Sequence, residues 1–432
     1  MLRVIPRDPV KSIGRIRWRI CALLFWATTL NYIDRQVLAV LAPSLGHALG
    51  WSQVDYAHIA AAFQVAYAIG LVFAGTVIDR LGTRIGYALS IAVWGLAAAS
   101  HSLARTVLEF AAARFALGLG EAGNFPAAVK TVAEWFPRRE RALATGLFNA
   151  GSNIGAVLAP IAVPVVASLW GLRSGFLLTC ALSALWLITW LLYYRSPERH
   201  PALSAGELEY IRGDAPAESR AQPAPRMRVR WLHLLRYRQT WAFAAGKFLT
   251  DPVWWFLLFW LPKFLHHRYD LNLTELGPPL VAIYVMADIG SITGGWVAGR
   301  LLRMGFTINA ARKGAMLLCA LAVVPIVLAP RVHELWTAVA LIGLATAAHQ
   351  GWSANLMTTT SDLYPSAAVA SVMGLGGFAG AVSGALVSTG VGYLLQATGS
   401  YTLLFTLAGC MYLLALAVIH ALVPRLTPAF AA

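Results

Sequence analysis

Residues 114–126 read RFALGLGEAGNFP, from Arg114 to Pro126. The stretch lies inside an apolar segment, 106–130, long enough to cross a bilayer, yet it holds an arginine and a glutamate. Arg114 and Glu121 are about two helical turns apart, so both project from one helix face, roughly 10 Å apart along the axis. A charge at that depth costs about 2.5–3.5 kcal/mol on insertion scales. Such charges usually face a water-filled cavity and mark a substrate or ion path.

The rest of the chain has the composition of an integral membrane protein. Of 432 residues, 58% are hydrophobic and 12% charged, where a soluble domain carries about 25% charged residues. A window near 19 residues finds spans at 18–42, 57–78, 84–104, 106–130, 142–167 and 172–194. A second set falls at 239–262, 276–301, 313–330, 335–360, 368–395 and 401–423. The four cysteines, Cys21, Cys180, Cys319 and Cys410, all lie in apolar segments. They have neither metal-ligand spacing nor a disulfide framework, and read as small core residues.

The net charge of +15 raises nucleic acid as a partner, but the placement of the charges excludes it. With the N-terminus cytoplasmic, 25 of the 34 Lys and Arg fall on cytoplasmic segments and five on external loops. This bias puts both termini inside and explains the charge as topology and contact with anionic lipid. With the span-end residues Arg19, Arg84, Arg300 and Lys313 counted with the cytoplasmic segments they adjoin, and Arg173 with its external loop, four basic residues remain within spans: Arg35, Arg114, Lys130 and Lys247.

The expected organisation is all-α: twelve transmembrane helices in two pseudo-symmetric six-helix bundles. A cytoplasmic basic tail (1–17) precedes an N-terminal bundle (18–195). A cytoplasmic linker (196–238) leads to a C-terminal bundle (239–424) and a short tail (425–432). The linker is rich in Arg, Glu, Pro and Ala, and its GELEYIR suits a short surface helix. The halves repeat in sequence. A shift of 220 aligns Gly75 with Gly295 and Arg80 with Arg300; a shift of 228 aligns Pro137 with Pro365, Ala142 with Ala370 and Gly146 with Gly374. Parallel repeats of this kind point to a transporter with its site between the halves near the midplane.

Several side chains are candidates for that site. Arg35, within NYIDRQ, and Arg114 lie roughly 12 Å below the external ends of their helices, a pair of planar donor forks suited to a carboxylate. Alternatively, Asp34 neutralises Arg35, or Glu121 pairs permanently with Arg114. Gln64 and Tyr67 lie one turn apart on the second helix; Asn149 and Asn153 face one way on the fifth. Lys247, Thr250, Asp251 and Trp254 share one face of the seventh, where Lys247 and Asp251 form a structural pair or a ligand site and Trp254 or Trp255 suits stacking on a ring. His349, Gln350, Ser353 and Asn355 on the tenth helix suit hydroxyl recognition. The 228 shift sets His349 opposite Glu121, so the C-terminal half is expected to offer neutral groups where the N-terminal half uses charge. The loop GTVIDRLGTR, with Asp79, Arg80 and Arg84, reads as a cytoplasmic gate, Asp79 facing the positive N-terminal end of the eleventh helix. Lys130 is expected to snorkel without a functional role.

Over nearly its whole length the chain resembles the major facilitator superfamily. The carriers of that resemblance are GTVIDRLGTR and its second copy GWVAGRLLRMG, in which Gly299 replaces the aspartate and implies a weaker gate. NYIDR, the Arg114–Glu121 pair and EWFPRRERALATGLFNAGSNIG are similar to the anion:cation symporter family. GKFLTDPVWWFLLFWLPKFL and AHQGWSANLMTTTSDLYP are similar to its hexuronate-transporter branch. The resemblance implies Tyr32, Arg35, Arg114 and Asn355 at the substrate, and Asp34 and Glu121 as proton carriers. It implies proton-coupled uptake of a sugar acid, glucuronate or galacturonate, through a bacterial cytoplasmic (inner) membrane; the alternative is another organic anion such as galactonate, glucarate or an aromatic carboxylate. No cofactor is expected beyond the proton as coupling ion, no metal, and a monomer. An enzyme is not expected, because the sequence shows neither a nucleophile with its base nor a metal cluster.

Overall fold

The computed structural model describes residues 14–213, 231–271 and 275–429. The expected basic tail through residue 13, linker residues 214–230 and the C-terminal residues 430–432 lie outside the described residues. Among the described residues, twelve long helices account for the expected spans. In the first half these are α1 (Ile16–Leu49), α2 (Gln53–Leu81), α3 (Thr83–Ser100), α4 in two pieces (Val107–Glu121 and Asn124–Trp135), α5 (Arg138–Trp170) and α6 (Ser174–Tyr193). In the second they are α7 (Arg238–Tyr269), α8 (Gly277–Arg303), α9 (Ile308–Val323), α10 (Leu335–Leu363), α11 (Ser366–Thr398) and α12 (Thr402–Leu422).

Among the described residues, seven helical stretches are long and apolar enough to cross a membrane, one of them α9 together with the 3₁₀ turn that follows it. Among the rest, α1 holds Asp34 and Arg35, α7 holds Lys247 and Asp251, and α4 is interrupted. The interruption at Ala122–Gly123 has a local cause. Pro126, in the first turn of the second piece, has no N–H to offer the carbonyl of Ala122, and its ring crowds it. Local chemistry sets other ends. Ser52 with Asp55 and Thr106 with Glu109 form capping boxes at the starts of α2 and α4. Gly50 ends α1 at φ 68°, in the left-handed region where a Cβ is penalised. After α9 the chain tightens into a 3₁₀ stretch, Val324–Arg331, from Pro325 onward.

The halves meet along two helix pairs, α2 with α11 and α5 with α8. These contacts obey the sequence repeat. A Cβ on Gly75 would collide with the carbonyl of Ala370, and one on Gly295 with that of Ala142. Likewise Gly374 abuts the Leu71 carbonyl and Gly146 the Ser291 carbonyl. Leu71 and Ser291 are themselves related by the shift of 220, so the two interfaces are copies of each other. The backbones approach closely because the repeat keeps the same positions free of side chains. Gly299, in place of the expected acidic residue of the second loop, also lies against the backbone of Arg139.

Only part of the linker is described. Its GELEYIR lies in a helix, Ala205–Arg212, docked under the first half. Glu207 is fully buried there, bonding to Arg17 Nη1 at 3.0 Å and accepting the Ile16 and Arg17 amides at the start of α1.

Candidate functional site

A central cavity of about 110 Å³ lies between the halves. Its first wall is built on α1 and α2. Arg35 donates from Nε to Glu121 Oε2 at 2.6 Å. Its guanidinium lies over the rings of Tyr67 (4.4 Å), Tyr32 (4.8 Å) and Phe63 (5.4 Å). Tyr32 stands one turn before Arg35 on α1, and Phe63 and Tyr67 one turn apart on α2, so helical spacing alone assembles this aromatic cage. Glu121, the last residue of the first piece of α4, is wholly buried.

The facing wall comes from α7 and α10. Lys247 Nζ and Asp251 Oδ2 are 2.7 Å apart, and both line the cavity with Trp254, Trp255, His349, Gln350 and Ser353. Trp254 stacks on His349, with ring centroids 5.1 Å apart and planes at 8°. At its ring edge, His349 Nδ1 meets the hydroxyl of Tyr412 on α12 at 2.5 Å. Asn149 of α5 donates to Gln350 Oε1 of α10 at 2.7 Å, so two cavity-lining residues bond across the halves. The expectation that the C-terminal wall is neutral is corrected: it carries an ion pair of its own.

Other expected site residues take different places. Gln64 is exposed on α2 and does not line the cavity, being turned about 100° from Phe63, which faces Arg35. Arg114 is buried behind the cavity wall; its Nη1 lies 3.4 Å from the carbonyl oxygen of Arg35, not against Glu121. Asp34 is buried beside Thr179 of α6, away from the cavity, because adjacent residues on a helix point in different directions. Asn153 donates to Asp288 Oδ1 at 2.7 Å, joining α5 to α8. Asn355 is fully buried and donates to the carbonyls of Gly294 and Gly351, both at 2.9 Å, so it fastens α10 to α8.

The end of the bundle that carries the start of α1 and the end of α12 is closed by two sets of charged contacts. In one, Asp79 accepts from the amide and hydroxyl of Ser371 at 2.8 and 2.7 Å and from Lys130 Nζ at 2.7 Å. Lys130 therefore does not snorkel; it neutralises Asp79 beside Ser371 in the second turn of α11. Arg80 is exposed and Arg84 bonds to the Leu191 carbonyl within its own half, so neither joins this cross-half contact. In the other, Asp362 pairs with the fully buried Arg312 at 2.8 Å. Arg141 reaches across from α5, placing Nη1 3.7 Å from Asp362 and donating to the Ser361 carbonyl. Arg312 in turn donates to the Arg138 carbonyl across the halves. Sequence reading missed this second set, although the shift of 228 aligns Arg84 with Arg312 and Glu134 with Asp362.

The family model of the Major Facilitator Superfamily matches residues 24–388. The chain is 33% identical to a hexuronate transporter of Escherichia coli (strain K12) over 404 residues, 92% of each chain. It is 38% identical to a galacturonate transporter of Dickeya chrysanthemi over 300 residues, 69% of this chain and 86% of that one. Its fold matches that of a proton:xylose symporter bound to 6-bromo-6-deoxy-D-glucose, with a TM-score of 0.76 and 16% identity, covering 97% of this chain and 98% of that one. A repeat that becomes two matching interfaces around a charged central cavity is the arrangement of such a transporter. Together with these likenesses it establishes that the chain belongs to the Major Facilitator Superfamily, in the branch of the hexuronate transporters.

Proposed function

We propose that the protein takes up a hexuronate, glucuronate or galacturonate, by proton symport across a bacterial cytoplasmic membrane, with both termini inside. The observation that carries this reading is Arg35 on the cavity wall, bonded to the fully buried Glu121 behind it. Arg35 offers the planar fork that a carboxylate needs, and a carboxylate of the protein already occupies it. A substrate carboxylate that takes Arg35 displaces Glu121. A buried carboxylate without a cation is costly, so Glu121 takes up a proton as the acid binds. Asp34, buried behind the same wall, serves as a second proton carrier, and Arg114 supports the field around both. Neutralising the displaced charge then lets the halves rock about the site. With two protons per monoanion, one net positive charge moves inward, and the membrane potential supplies about 2.3 kcal/mol per 100 mV. Asp79 with Lys130 and Ser371, and Arg141 with Asp362, hold the cytoplasmic end shut until then.

Uptake of labelled galacturonate and glucuronate into proteoliposomes tests the reading. Accumulation that depends on an imposed proton gradient and collapses with a protonophore is the expected result. Equilibration indifferent to the gradient overturns the coupling. Transport of galactonate or glucarate with neither uronate carried overturns the substrate.

A further inference from the structure

The Lys247–Asp251 pair stands on the wall facing Arg35 and has no part in the exchange just described. Both side chains keep some exposure, 14% and 16%, and both line the cavity. An ion pair in such a place is a poor stabiliser, since apolar residues of similar volume do as well or better. Its chemistry toward a ligand is specific. The ammonium has three donors and the carboxylate about four acceptor sites, and the pair itself consumes one of each. The pair thus presents a donor and an acceptor side by side. Two neighbouring hydroxyls match it: one accepts from Lys247 while the other donates to Asp251. A second carboxylate does not match, because it only accepts and is repelled by Asp251.

Two further observations fit a sugar. Trp254 lies one turn beyond Asp251 on α7 and lines the same cavity, backed by the ring of His349. A backed indole is a rigid plane for the C–H face of a pyranose. Asp251 is also seated against backbone: its Oδ2 occupies the space that a Cβ on Gly380 of α11 would need. The carboxylate is held in place by its surroundings as well as by Lys247.

We infer that Lys247 and Asp251, with Trp254, form the subsite that reads vicinal ring hydroxyls and rejects a second carboxylate. This rests on the uronate reading above: the acid end lies at Arg35 and the polyhydroxyl end on the opposite half, so one substrate bridges both bundles.

The test is competition against labelled galacturonate binding to the purified full-length protein. The competitors are galacturonate, tetrahydropyran-2-carboxylate, which has the ring and acid without the ring hydroxyls, and galactarate, which has a second carboxylate. The variant Lys247→Met/Asp251→Leu removes the pair without leaving an unpaired charge, and the near-isosteric Asp251→Asn serves if the double variant does not fold. Loss of hydrogen bonds to charged groups weakens galacturonate by about ten- to hundredfold. Tetrahydropyran-2-carboxylate keeps its affinity, and galactarate gains on galacturonate. Equal weakening of galacturonate and tetrahydropyran-2-carboxylate, or unchanged galacturonate affinity, overturns the subsite. Failure of the unaltered protein to bind any uronate overturns the uronate reading instead.

Discussion

Arg35 and Glu121 are bonded, Nε to Oε2 at 2.6 Å, and that bond joins α1 to α4. Neither residue is paired with its charged neighbour in sequence. Asp34 adjoins Arg35 but points behind the wall, and Arg114 shares a helix with Glu121 but reaches the Arg35 carbonyl. The cavity-lining cation is thus held by a fully buried carboxylate from another helix, the pair on which the proposed exchange of substrate and proton turns.

Exchange of partners at this pair has a kinetic signature. Arg35→Ala abolishes uptake, and Arg114→Ala does the same by removing the second positive charge near Glu121. Glu121→Gln keeps counterflow exchange of labelled uronate but loses accumulation under a pH gradient, measured in proteoliposomes. Full proton-driven accumulation by Glu121→Gln would refute its coupling role.

Asp79 holds α11 through Ser371 and is neutralised by Lys130. Asp79→Asn weakens both interactions and favours opening at that end of the bundle. A cysteine placed at Thr358, fully buried near Thr145 across the halves, reports the change in a background lacking the native cysteines. Its alkylation accelerates several-fold in Asp79→Asn; an unchanged rate dismisses the latch.

Arg312 and Asp362 are a fully buried pair. Arg312→Leu alone takes away the partner 2.8 Å from the buried Asp362 and leaves it the longer 3.7 Å contact with Arg141, and breaking a buried pair on one side costs about 3–5 kcal/mol. The double change Arg312→Leu/Asp362→Leu recovers most of that loss. Thermal unfolding in detergent compares the two; a double variant no better than the single one contradicts the desolvation argument.

Asn355 was expected at the substrate, yet both of its bonds go to backbone carbonyls of α8 and α10. Asn355→Ala therefore lowers thermal stability, by about 1–3 kcal/mol for the groups left unsatisfied, with the KM for uronate unchanged. A tenfold rise in KM at unaltered stability returns Asn355 to the site.

Gly295 permits α8 to touch α5 at Ala142. Gly295→Val forces the helices apart at a cost of about 1–3 kcal/mol, which disfavours the closed arrangement. The same Thr358 cysteine reads it: faster alkylation is expected, and the repeat requires a like effect from Gly75→Val at the matching interface. A response confined to one of the two positions breaks the symmetry argument.

The sequence by itself determined the twelve-helix fold, because hydropathy and charge bias act on each segment locally and a repeat of glycines persists whatever the helices pack against. It also marked Arg35, Tyr67, Lys247, Trp254, His349 and Gln350, all of which meet at one cavity or its wall. Which charge pairs with which was decided only by tertiary structure. Pairing depends on the rotation of each helix about its axis, and a turn of about 100° separates a cavity-lining residue from its buried neighbour. So Arg35 chose Glu121 over Asp34, Lys130 chose Asp79 over the lipid interface, and Asn153 and Asn355 turned to hold helices together. The partners were in the sequence throughout, but the distances that select among them exist only once the halves are packed.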